Sequence, residues 1–210
     1  MTNLFVAYVA AFFLPLLFHS WRVAVLGLGV QGFLLGMILA AHHQPMSVTL
    51  FFEYANLFAV HGVFVPWLLF RTMRSHSTPS DFSLISKNLV QWVLAFLLIS
   101  VAFMFGDRLT PEDSAEALQV GSAAGAILIG LLVLANQTHP LGQVIGLLTF
   151  HGGVTLVELL SPHAMPFPVH LGISLVFVVF VATCGQYLSR LLAMPHGVED
   201  AEDAEEKITL

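Results

Sequence analysis

Two stretches of this 210-residue chain set ionisable side chains inside long apolar runs. "AVHGVFVPW" (59–67) holds His61. "TFHGGVTLVELL" (149–160) holds His151, with Glu158 two helical turns further along the same face and Thr155 between them. Glu53 precedes His61 by about 12 Å at the helical rise of 1.5 Å per residue, and Asn56 adds polarity to that run. Gln31 falls at a depth similar to the two histidines in an earlier run, and His170 stands at the mouth of the last one. An ionisable group at the centre of a membrane helix costs about 3 kcal/mol on insertion scales, so such groups face protein or water. Histidine exchanges protons near neutral pH, and a His–Glu pair joined by water can relay them. Two facing imidazoles can instead ligate a haem iron. Polar groups in apolar helices also serve simply to hydrogen-bond neighbouring helices. The candidates for a proton path are His61, His151, Glu53, Glu158, Gln31 and His170.

The other histidines (His19, His42, His43, His76, His139, His163 and His196) fall in loops or tails, where a solvated or headgroup role is expected. "AHHQP" offers two adjacent imidazoles without a nearby acid, a poor metal site. There is no phosphate-cradling glycine loop, no metalloprotease histidine pair and no nucleophile elbow. Catalytic residues, a metal and a cofactor are therefore not expected, and the chain is read as an accessory subunit without catalysis of its own. Cys184, the single cysteine, excludes a disulfide within the chain and a self-contained iron–sulfur cluster. It reads as a small apolar residue on a helix.

These side chains must be positioned by membrane helices. Hydrophobic residues make up 57% of the chain and charged ones only 10%, against about a quarter charged in soluble domains. Six of the thirteen acids lie in the terminal "VEDAEDAEEKITL", so the net charge of −6 reflects an acidic tail, 194–210, expected to be disordered. No basic cluster points to nucleic acid. The expected class is an all-α polytopic membrane protein, with one transmembrane domain over 1–193. Seven runs approach the roughly 20 apolar residues a spanning helix needs: 3–18, 23–41, 48–70, 88–106, 116–136, 141–160 and 169–191. The first lacks a basic leader and a small-residue cleavage site, and reads as a retained span. Turn signals such as "HHQP", "GDRLTPEDS" and "NQTHP" separate the runs. Continuous apolar runs of this length do not alternate as strands would.

Basic residues orient the spans. With the N-terminus outside, Arg22, Arg71, Arg74, Lys87, Arg190 and Lys207 gather on the inner side, and Arg108 alone lies outside. That bias places the C-terminus in the cytoplasm and requires an odd number of spans. Trp21, Trp67 and Trp92 then fall near the inner interface. The expected location is the cell inner membrane. Two three-helix units flanking the fourth span are expected in opposite orientations, as in inverted repeats. Gly32/Gly36 and Gly121/Gly125 have the small-xxx-small spacing that permits close helix contact.

The third span with its exit, "LFFEYANLFAVHGVFVPWLLFRTMRS", resembles that of the hydrogenase-4 component E membrane subunits, and so does "LANQTHPLGQVIGLLTFHGGVTLVELLSPHAMPFPVHLGISLVFVVFVATCGQYLSRLL". Pro66, Gly146 and the polar centres of both blocks anchor the likeness, which covers most of the chain. That family is in turn similar to the K subunit of respiratory complex I and the C subunit of multi-subunit sodium/proton antiporters. The resemblance implies a non-catalytic subunit contributing to proton or ion translocation. Its implied partners are antiporter-like membrane subunits, with a hydrogenase or another redox or carbon-handling module. Departures are specific: His61 stands where the family pattern has lysine, and His151-Gly152 stands where it has Glu-Asn. An acidic residue of the last span is replaced within "LGISLVF".

Overall fold

The computed structural model describes residues 2–18, 20–42, 48–74, 83–84, 88–160 and 167–193. All the regular elements among them are helical: α1 (Thr2–Leu17), α2 (Trp21–His42), α3 (Val48–Asn56), a π-helical segment π1 (Leu57–Phe64), α4 (Val65–Arg74), α5 (Leu89–Leu109), α6 (Ser114–Asn136), α7 (Pro140–Leu160) and α8 (Phe167–Ala193). α3, π1 and α4 follow one another without a gap and form the third apolar run. Six helical stretches are long and apolar enough to cross a membrane, and α1 is a shorter apolar helix of 16 residues. The acidic tail 194–210 and His19, His43, His76, His163 and His196 lie outside the described residues.

Local chemistry sets several helix ends. Asp113 accepts hydrogen bonds from the N–H groups of Ala115 (2.8 Å) and Glu116 (3.3 Å), capping α6. Asn88 accepts one from Val90 N–H at 3.1 Å at the start of α5. Pro140 opens α7, where the N–H it lacks would have had no partner in the helix.

The helices sit in two neighbouring rows. α1 packs on α2 and α2 on π1; α5 packs on α6 and α6 on α7. Across the rows α1 meets α6, α2 meets α7, and α3 and α4 meet α8. This pairing corrects the expected opposite orientation of the two triplets. Each run reverses on its predecessor, and four runs separate the start of one triplet from the start of the other. An even number of reversals returns the chain to the same side, so paired helices run the same way.

Close approach is built from glycine. A Cβ at Gly130 would stand 2.5 Å from Phe150 N, and one at Gly153 would stand 2.8 Å from Ile127 N and 2.9 Å from Ala123 O. The α6 and α7 backbones therefore touch along this line, which sequence spacing did not single out. Of the expected pairs, Gly32 and Gly36 do face a helix closely, against π1. Gly121 abuts Phe103, whereas a Cβ at Gly125 would meet Phe12 at an ordinary 3.4 Å.

Arg22, Arg71 and Arg74 share one end of the bundle, because the rings of Trp21 and Phe70 meet there at 5.1 Å. Trp67 carries Arg71 over its ring at 5.3 Å, and Trp92 packs edge-on to Phe13 at 6.3 Å. This is the basic end; the α5–α6 turn, with Asp107, Glu112, Asp113 and Glu116, marks the acidic end. Leu89, Val90, Leu175 and Val176 are among the apolar side chains that α5 and α8 leave exposed, as lipid-facing helices do.

Candidate functional site

In each of the two His-Gly pairs the glycine lies against a neighbouring helix and the histidine turns towards a shared space. On π1, Gly62 is buried against α2. A Cβ on Gly32 would stand 2.5 Å from Gly62 N and from His61 C. On α7, Gly152 is buried against α1 and α2, where a Cβ would come within 3.1 Å of Tyr8 Oη and 4.0 Å of Gln31 Oε1. With Gly153 pinned on α6, the remaining face of α7 bears His151, Thr155 and Glu158.

That face and the third run enclose a cavity of about 40 Å³ with α8 as its third wall. Its polar lining is Glu53, Asn56, His61, His151, Thr155, Glu158 and Ser174, and Phe177 is among its apolar residues. Four of the six candidates, Glu53, His61, His151 and Glu158, are thus brought together. The imidazole centroids lie 5.4 Å apart, inclined at 39°. Phe177 stacks on His61 at 4.4 Å and 6° and lies 4.1 Å from His151. Thr155 Oγ1 is 3.2 Å from His151 Nδ1, so the threonine between His151 and Glu158 engages the ring. Neither ring nitrogen of His61 has a hydrogen-bond partner among the described residues, though both are buried. Leaving such groups unpaired is costly. A polar space of this size has room for about three waters, which would satisfy them.

The π-helical turn puts His61 in this place. Eight residues at 100° each would leave Glu53 and His61 about 80° apart on a continuous α-helix. The wider π turn, with its i→i+5 bonds, advances roughly 80° per residue and brings the two nearly onto one face. Pro66 gives the local cause. It lacks the N–H that would close an ordinary turn onto Gly62 O, and the preceding turn widens, with Val65 N–H bonding Val60 O. Proline five residues beyond His61 was the available signal in the sequence.

The other two candidates lie elsewhere. Gln31 is buried where α2 meets α7 and lines a different, smaller cavity. His170 is in the first turn of α8, and its side chain is outside the described ones. Sequence reasoning missed Ser174, whose Oγ accepts from Asn56 Nδ2 at 2.9 Å and ties α8 to the third run. It lies in "LGISLVF", where the family pattern has its acid. Phe177, also missed, gives no sign of its role in an apolar run. Haem does not fit between the histidines: about 40 Å³ is far below the roughly 300–1,000 Å³ of small-molecule sites, and Phe177 lies against both rings. Among the described residues no three His, Cys, Asp or Glu side chains form a metal-holding group.

No protein-family model matches the chain, and no curated protein or solved structure does. The likeness to hydrogenase-4 component E rests on the residues quoted for it.

Proposed function

We propose that this chain is a non-catalytic integral membrane subunit that hands protons along a hydrated polar path inside a larger, complex-I-like or hydrogenase-4-like assembly. The observation that carries the reading is the single cavity in which Glu53, His61, His151 and Glu158 converge from two runs. In it, trapped water would link two imidazoles, each able to donate and to accept a proton, with carboxylates towards the acidic end. Seven spans, with the N-terminus outside and the basic end in the cytoplasm of a cell bounded by this inner membrane, are part of the proposal. The gathering of Arg22, Arg71 and Arg74 with Trp21 and Trp67 at one end supports it. Antiporter-like subunits are the partners the family resemblance implies, and α5 and α8 offer them apolar faces.

The test is purification of the intact assembly from native membranes in mild detergent, with mass spectrometry of what accompanies the chain, before and after His61→Leu and His151→Leu. Fixed-ratio antiporter-like partners, and loss of pumping by either variant in an assembly of unchanged composition, are expected. A chain that travels alone removes the assembly. Pumping that survives both substitutions makes the chain a scaffold.

A further inference from the structure

A second cavity lies towards the basic end, lined by α1, α2, α6, α7 and Leu84 and separate from the His–Glu cavity. Its volume is about 10 Å³, close to the space of one water on the same measure. Among the described residues Gln31 and Thr149 are its polar side chains; Leu28, Ile129 and Ile145 are typical of the rest. Gln31 is 4% exposed, and its Nε2 has no hydrogen-bond partner there. Thr149 Oγ1 donates to Ile145 O at 2.9 Å, which leaves its lone pairs free to accept. Tyr8 comes near both Gln31 and the His151 run: its Oη and Gln31 Oε1 stand 3.1 and 4.0 Å from the place of a Cβ on Gly152. The Tyr8 Oη is buried, has no partner among the described residues, and lies beside Gly152, the neighbour of His151.

We propose that Gln31 and Thr149 bind one water, and that this water and the Tyr8 hydroxyl extend the proton path from the histidines towards the basic end. The extension rests on the reading of the His–Glu cavity as a proton path; the water site does not. Gln31 Nε2 donates to the water oxygen, and one water O–H donates to Thr149 Oγ1. The two polar contacts meet the minimum that a buried water needs. A proton accepted on the remaining lone pair is matched by one released from the other O–H, so the water is restored without net charge. With the rest of its wall apolar, this is the smaller of the two cavities.

The site is tested on the full chain in lipid bilayers, with ¹⁵N in glutamine side chains and solid-state NMR. Gln31→Leu identifies the Gln31 signal by its loss. Magnetisation transfer from water to the Gln31 amide is expected in the unsubstituted protein; an amide that shows none overturns the site. The path is tested by proton translocation in native-membrane vesicles carrying Gln31→Leu or Tyr8→Phe. Losing a hydrogen-bonded step is expected to slow translocation about tenfold. Undiminished translocation in both variants, with His61→Leu and His151→Leu inactive, overturns the extension and leaves the cavity reading intact. Undiminished translocation in all four removes the cavity reading itself.

Discussion

Replacing Gly32 by alanine adds one methyl group where α2 meets π1, and the consequence follows from distances. The new Cβ would stand 2.5 Å from Gly62 N and His61 C and 2.8 Å from His61 O, all backbone atoms that no rotamer change can withdraw. Ordinary contact begins at 3.4 Å, so α2 and π1 must separate by about 0.9 Å, carrying His61 away from its place. Overpacking of this kind costs about 1–3 kcal/mol. At roughly 2–4 °C per kcal/mol for a chain of this size, the melting midpoint should fall by about 2–12 °C. The control is Gly62→Ala, made from the opposite side of the same contact. There the nearest atoms are those of the Phe33 ring, at 3.4–3.5 Å, which is ordinary contact. Alanine is favoured over glycine in helices by up to about 1 kcal/mol, so that substitution should be neutral or slightly stabilising. Loss of helical circular dichroism on heating the detergent-purified chain measures both. A Gly32→Ala protein that melts with the unsubstituted one, or a Gly62→Ala protein that melts lower than Gly32→Ala, would refute the close packing of α2 on π1.

Phe177→Ala should lower stability by about 3 kcal/mol, the low end for a buried ring, because the space it opens joins a polar cavity that water can fill; a melting midpoint within error of the unsubstituted protein would contradict the stacking. His139, between α6 and α7, accepts from Leu141 N–H through Nδ1 at 3.2 Å, and burial holds its pKa below the usual histidine value. Its contribution is therefore present above the unfolded pKa of about 6.5 and is lost as pH falls through the lower folded value. His139→Asn, which can still cap α7, should flatten that part of the melting-versus-pH curve; an unchanged acid limb would show that His139 does not shape it.

The helices were legible because apolar run length dictates them: the run expected over 116–136 is a helix from Ser114 to Asn136, and that over 141–160 runs from Pro140 to Leu160. Burial of ionisable groups is equally one-sided in its logic, and it singled out His61, His151, Glu53 and Glu158, which line one cavity. What periodicity does not carry is the path of the helix itself. The π turn changes which side chains share a face, and only Pro66 hints at it. Gln31 lines a different cavity from the histidines, because depth along a helix says nothing of rotation about its axis. Here the rotation is set by Gly32 facing π1. The role of Phe177 depends on a neighbour more than a hundred residues away in sequence, which no local pattern encodes.

On the proposed reading, the two halves of the path differ in a way that bears on why such a chain would belong to an assembly. The half towards the acidic end holds the larger cavity, with polar side chains in a largely apolar wall and room for about three waters. The half towards the basic end holds a smaller cavity, with room for about one. Leu84, buried at 2% exposure, forms part of its wall. Gln137 Nε2 holds that residue in place by donating to the backbone carbonyls of Ser83 (2.8 Å) and Leu84 (2.6 Å). Protons should therefore equilibrate readily with the acidic side and cross to the basic side slowly. A free-standing channel gains nothing from such a barrier, whereas a subunit inside a pump needs one, since an open path would dissipate the gradient its partners build. On that reading the asymmetry of the two cavities fits a controlled relay better than a pore, with the proposed control near Gln31.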